Sequence, residues 1–316
     1  MKKNTPLFVL FLFAVQFIAA QDFGNFNGGF ESNSQWLQDD EGINILAPQE
    51  QFRANNYFSL NYNLGKFTAG IQYESYLPVP LLGYAPELEG NGVGTYYLNF
   101  KHKSLDITAG YVYEQFGSGL IFRSWEDRQL GINSAIKGVK VIFTPLDYLL
   151  VKGVYGEQRY GFETSEGAIQ ALDATFDVGY FLDVDELFLD IGGSYVGRYQ
   201  DNLGSIKVPT TVNAYAGRID LGYKNFFAGM EAIHKEPDVL VNEGMVTNDE
   251  ELYKGSAILV NLGYAQRGFG VNTSLRRLEN FGFYADRFAE GNQYNQQLIN
   301  YTPALTKQHD YLLSNI

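Results

Sequence analysis

The chain has 316 residues, 23 Lys plus Arg against 36 Asp plus Glu, a formal net charge of −13 and no cysteine. An acidic chain without a basic stripe repels nucleic acid, and the lack of cysteine excludes disulfides and thiolate chemistry. With 34 Gly, 23 Tyr and 24 Phe against 9 Pro, the composition favours strands, whose half-buried pleated surface suits aromatics.

The N-terminus reads as a secretory signal peptide, residues 1–20. Met1-Lys2-Lys3 is a short basic region, "LFVLFLFAVQFIAA" is apolar and ends in small residues, and cleavage is expected after Ala20. No later run reaches the roughly 18 apolar residues of a spanning helix. Residues 21–316 read as one domain.

Period-two alternation then recurs along the chain. The first strand is expected in "FNGGFESNSQWLQ" (26–38). In "TYYLNFKHK", Tyr96, Leu98 and Phe100 oppose Tyr97, Asn99 and Lys101. In "SLDITAGYVYE", Leu105, Ile107, Ala109, Tyr111 and Tyr113 oppose Asp106, Thr108, Gly110 and Glu114. In "ALDATFDVGYF", Leu172, Ala174, Phe176, Val178 and Tyr180 oppose Asp173, Thr175, Asp177 and Gly179.

The connections alternate in length. "NLGK", "KS", "TPLD", "DVDE", "KN" and "QRG" are short, while 77–94, 117–137, 161–169, 201–210, 237–252 and 281–304 are long. Short periplasmic turns and long extracellular loops are the habit of an outer-membrane barrel, and clear strands of about 9–12 residues suit a tilted crossing. The expected fold is all-β: a transmembrane antiparallel up-and-down β-barrel of about 14 or more strands. The last strand starts near Ala304 and is unfinished at Ile316, so the barrel is expected to be truncated at its C-terminus.

The polar strand faces should line the lumen. They carry Lys101, Lys140, Lys152, Arg198, Arg218 and Arg276 together with Asp106, Glu114, Asp173, Asp177, Asp190, Asp220 and Glu231. Mixed signs read as a salt-bridged wall rather than a one-sign selectivity ring.

One long connection stands apart. "EQFGSGLIFRSWEDRQLGINSAIKGVK" (114–140) joins glycines, an apolar patch of Leu120, Ile121 and Phe122, and four charges around a tryptophan. It is expected to fold back into the barrel mouth with Trp125 as its buried anchor. Arg123 and Arg128 should pair with Glu126, Asp127 or lumen acids such as Glu114. These five residues, Arg123, Trp125, Glu126, Asp127 and Arg128, form the candidate lid, or alternatively a partner-contact surface, because Trp and Arg commonly anchor interfaces.

"GGFESNSQWLQDD" and "YEQFGSGLIFRSWEDRQLGINSAIKGVKV" resemble an uncharacterised family of Bacteroidota outer-membrane β-barrels, and the "AQ" ending the signal suits that phylum. The resemblance covers most of the mature chain. It implies residence in the outer membrane and a barrel somewhat longer than this chain, with no established activity and no catalytic residue to carry over.

Catalytic patterns are weak. His102, His234 and His309 have no Ser and Asp at comparable depth, and no metal-spaced His or Cys occurs. The loop "KEPDVLVNEGMVTNDEELYK" carries Glu236, Asp238, Glu243, Asp249, Glu250 and Glu251 and reads as a solvated acidic loop rather than a Ca²⁺ site. "LPVPLLGYAPELEGNG" (77–92) is expected to pack at the rim. The expected role is a non-enzymatic structural or docking component of the cell envelope with a loop-capped lumen; a porin-like channel for small solutes is the alternative. No cofactor or metal is expected. The expected partners are outer-membrane lipid and other envelope proteins.

Overall fold

The computed structural model describes residues 23–81, 88–128, 131–201, 208–239, 241–242, 245–246, 251–283, 285 and 311–315. The expected signal peptide and His309 lie outside them.

Thirteen strands form one antiparallel sheet in chain order. They are β1 (Asn25–Trp36), β2 (Phe52–Leu64), β3 (Phe67–Tyr76), β4 (Gly90–His102), β5 (Leu105–Val112), β10 (Ile136–Leu146), β11 (Leu149–Tyr160), β12 (Glu163–Asp177), β13 (Leu187–Tyr199), β14 (Thr211–Tyr223), β15 (Phe226–Asp238), β18 (Tyr253–Gln266) and β19 (Phe269–Glu279). A short strand, β20 (Tyr311–Asn315), adds along β19. The connection between β5 and β10 holds β6 (Glu114–Phe116), β7 (Phe122–Ser124), β8 (Glu126–Asp127) and β9 (Ile132–Asn133). That between β15 and β18 holds β16 (Val241–Asn242) and β17 (Met245–Val246).

Each wall strand pairs with its neighbours in sequence, so the wall is the expected up-and-down meander. It is not closed: β1 is paired along β2 alone and β20 along β19 alone. Among the described residues no helix is long and apolar enough to cross a membrane.

The alternation works as the sequence predicts. On β12, Leu172 is 52% exposed on the outer face, while its neighbour Asp173 is 2% exposed on the inner one. Leu98, Tyr155, Ile191, Ile219, Met230 and Leu262 continue the outer apolar face on other strands.

The inner face departs from expectation. From β11 to β18 its charged residues share the face with an apolar patch, in which Val154, Ile169, Val196, Val212, Ile233 and Leu259 are buried in one cluster. The apolar residues on both faces of these strands have different partners. Those outside are exposed, and those inside are covered by the chain's own 116–122 segment and by Phe281 and Phe283.

Two local readings also change. The expected long connection 161–169 is a two-residue turn at Gly161 and Phe162, because Arg159 pairs with Thr164 and Tyr160 with Glu163, which continues the β11–β12 ladder outward. The strand expected to reach Tyr180 ends at Asp177. There the Asp177 side chain accepts a hydrogen bond from the Tyr180 N–H at 2.8 Å and caps a one-turn helix, α1 (Val178–Phe181).

A crease crosses the wall where Gly138 stands opposite Gly110 on one side and Gly156 on the other. A Cβ at Gly138 would run into the Tyr155 carbonyl, and one at Gly110 into that of Tyr96. Gly110 also has φ +111, a conformation open to glycine. Immediately beyond it the chain leaves the wall and turns inward.

Candidate functional site

The segment following β5 folds into the lumen as two small hairpins, β6–β7 and β8–β9. Ser124 and Ser134 hold them together. The Ser124 hydroxyl donates to the Ser134 carbonyl at 2.6 Å, with the Val112 carbonyl also in reach at 3.2 Å, and the Trp125 backbone N–H donates to the Ser134 hydroxyl at 3.0 Å. At the far end, the Ser118 N–H donates to Glu231 Oε2 on β15 at 3.0 Å, which pins the tip to the opposite side of the curled wall.

Burial of Phe116, Leu120, Ile121 and Phe122 drives this docking. All are at most 2% exposed, and each such side chain contributes about 1.5–3 kcal/mol, against about 1–2 kcal/mol per residue for ordering the backbone. Trp125 is therefore not the buried anchor the sequence suggested. It is half-buried, and the Arg123 guanidinium stacks on its ring at 3.9 Å. The apolar patch just before it does the anchoring, because only that patch meets the apolar inner wall.

The other candidate residues sit on the polar side of the lumen. Arg128 reaches Glu31 on β1 at 2.6 Å, Glu126 at 3.4 Å and the Gln72 side-chain carbonyl at 2.7 Å, and lies over the Tyr57 ring at 4.6 Å. Glu126 accepts from Gln72 (3.0 Å) and Asn133 (3.2 Å). Asp127 lies in β8 opposite Ile132, close enough to Arg123 to attract its charge. Glu114 takes Lys152 at 2.8 Å and Lys140 at 3.6 Å, so lysines rather than the expected arginines neutralise it.

Three buried ion pairs reinforce the lumen: Arg159–Glu74, Arg198–Asp238 and Arg218–Asp173, each closing to 2.6 Å. Part of the mixed inner charge is thus paired, as a salt-bridged wall requires, whereas Asp177, Asp190 and Asp220 stand opposite one another on β12, β13 and β14. Asp238 corrects one reading. It was assigned to a solvated acidic loop, yet it is buried against Arg198 at the end of β15, and nearby Glu236 accepts from Asn213 at 2.7 Å. The acids Glu243, Asp249 and Glu250 lie outside the described residues. Arg53 and Asn55 hold the start of the 77–92 segment against β2 through Pro80 and Leu81; residues 82–87 of that segment lie outside the described residues.

His102 is partly exposed at the end of β4 and His234 is exposed on β15. Among the described residues no three His, Asp or Glu groups come together in a way that could hold a metal.

The characteristic pattern of one protein family matches residues 1–316. The chain belongs to DUF6029, a family of unknown function. A comparison with curated proteins finds no match for this DUF6029 chain. Among solved structures it is similar to Pseudomonas aeruginosa OpdK crystallised with vanillate, at 10% identity over 83% of each chain with a TM-score of 0.40. It is also similar to Salmonella typhi OmpF in complex with daunomycin, at 11% identity over 82% of this chain and 79% of that one, TM-score 0.43. A third is a BenF-like porin from Pseudomonas fluorescens Pf-5, at 10% identity over 81% and 82%, TM-score 0.38.

The DUF6029 lumen thus has two unlike sides. Glu31, Tyr57, Gln72, Glu74 and Arg159 make a polar socket around the inward-folded segment, and nothing in the sequence singles them out. "QYESY" does place Gln72, Glu74 and Tyr76 on one strand face, but nothing local reveals that the 114–135 segment will sit on them.

Proposed function

We propose that the protein is a non-enzymatic outer-membrane β-barrel, a porin-like channel for small solutes whose lumen is narrowed by the inward-folded 114–135 segment. The observation that carries this reading is the two-faced wall. Its outer face exposes large apolar side chains on nearly every strand, and its inner face keeps paired charges and amides. In water that outer face would be an aggregation liability, whereas in hydrocarbon it is the required surface. Outer-membrane lipid is the partner this implies, the signal peptide at 1–20 gives a route to that membrane, and its "AQ" end supports a Bacteroidota source.

Arg123, Trp125, Glu126, Asp127 and Arg128 act as the lid's polar half, fastened to Glu31 and Gln72 while the apolar half plugs the wall from β11 to β18. The second reading, a structural or docking component, is favoured by that dry plug and by the half-exposed Arg123–Trp125 stack, which a partner could cover. Planar bilayers decide between them. Discrete conductance from purified protein supports the channel; a silent barrel that co-purifies with an envelope protein in fixed ratio supports docking.

A further inference from the structure

Beneath the lid, on the side of β2 to β5, lies a cavity of about 580 Å³, within the roughly 300–1,000 Å³ of small-molecule sites. Its lining is unusual for a chain this charged. Ser59, Asn61, Thr68, Thr95, Asn99 and Thr108 present hydroxyls and amides from four successive strands, and Tyr97 and Tyr113 add phenols. The ionic groups at its rim are already neutralised: Arg128 by Glu31 and Glu126, and Lys140 by Glu114.

Part of the polar lining is used internally. The Tyr97 hydroxyl donates to Asn61 Oδ1 at 2.9 Å, and Asn99 Nδ2 donates to the Thr108 hydroxyl at 2.9 Å. That fixes both amides and turns their second polar atoms, Asn61 Nδ2 and Asn99 Oδ1, into an oriented donor and acceptor with no protein partner among the described residues. Thr95 also lines the cavity. An ion bound directly to these groups would give up part of its hydration and meet no unpaired counter-charge, which is costly, whereas a hydrated ion could pass along them. A neutral molecule bearing many hydroxyls exchanges its water hydrogen bonds for amide and hydroxyl partners at little cost, and the tyrosine rings offer flat surfaces to its carbon face.

We propose that this cavity is a binding site for a neutral, hydroxyl-rich solute of sugar size. Passage of that solute through the lumen rests on the channel reading above; its binding does not. The site discriminates against charged molecules of the same shape, because its own charges are already paired and offer nothing in return for the hydration such a molecule gives up.

Equilibrium dialysis of the full chain at pH 6, folded in detergent, tests this with labelled glucose and maltose against glucuronate and glucosamine. Saturable binding of at least one neutral sugar is expected, with the two ions at least about ten-fold weaker. Asn99→Leu should weaken sugar binding about ten-fold, the equivalent of about 1.4 kcal/mol, while the heat-dependent gel shift of the folded barrel stays unchanged. Asn61→Asp should move the preference toward glucosamine. No saturable sugar binding, equal binding of all probes, or indifference to Asn99→Leu would overturn the proposal. Liposome swelling separates the two readings: sugar binding without swelling keeps the site and sinks the channel, and swelling without binding does the reverse.

Discussion

Arg159 grips Glu74 with both terminal nitrogens, at 2.9 and 2.6 Å, although 85 residues separate them in sequence and β4, β5 and β10 stand between their strands. The pair is almost wholly buried, and the Arg159 Nε also donates to the Gly161 carbonyl at 2.7 Å. It draws the protruding β11–β12 hairpin inward until Phe162 at its tip meets Tyr76 of β3, ring centroids 5.9 Å apart. Glu74→Ala should therefore cost about 3–5 kcal/mol, because a buried guanidinium loses its counter-charge. The folded band on unheated gels should convert to the unfolded one at a markedly lower temperature; an unchanged conversion temperature would show that the hairpin needs no such tether.

The two faces of the wall should respond differently to the same residue. Leu172→Arg puts a charge on the outer face and should impair membrane assembly by about 2–4 kcal/mol. Asn61→Arg puts it in the polar cavity and should assemble nearly as well as the parent. Immunoblots of outer-membrane fractions measure both, and equal losses would mean that the outer face does not meet lipid.

Docking of the lid should depend on its apolar patch more than on its tryptophan. Phe122→Ala removes a fully buried ring and should cost about 3–5 kcal/mol, enough to free the segment. Trp125→Ala removes a half-buried ring stacked mainly on Arg123 and should cost less. Protease treatment of intact cells should cut between Gly119 and Lys137 readily in the first variant and slowly in the second.

The glycine crease gives a paired test. Gly110→Ala adds a methyl where the Tyr96 backbone lies and where φ is +111, so assembly should fail. At Gly217 a Cβ would meet nothing within 4 Å, and Gly217→Ala should be neutral or slightly stabilising. Comparable yields of the two folded barrels would remove the crease from the account.

The wall was legible in the sequence because its rules are local. Alternation set the facing of Leu172 and Asp173, and loop lengths set the meander. Misreadings came where a distant partner decides. Nothing beside Gly161 announces that Arg159 will be drawn toward Glu74, so the sequence there resembles a loop rather than the tip of the β11–β12 ladder. Val196, Val212 and Ile233 look like ordinary strand residues until the lid that covers them is in place. Trp125 stands out by its rarity, while the plainer Leu120–Ile121–Phe122 run nearby carries the burial. Asp238 shows the same limit, since its acidic neighbours in sequence suggested solvent and its partner Arg198 lies two strands away.

The unlike sides of the lumen bear on how charge could move through it. Around Val154, Val196 and Ile233 the interior is filled by packed side chains, while along β2 to β5 it is lined by groups that hold water. The two run side by side like conductors of very different resistance, and nearly all of any current would take the wetted one. The electrical axis would then lie off the geometric centre. Single-channel noise should change with substitutions at Thr95 or Thr108 and stay flat for conservative changes at Val196 or Ile233, although both sets face inward.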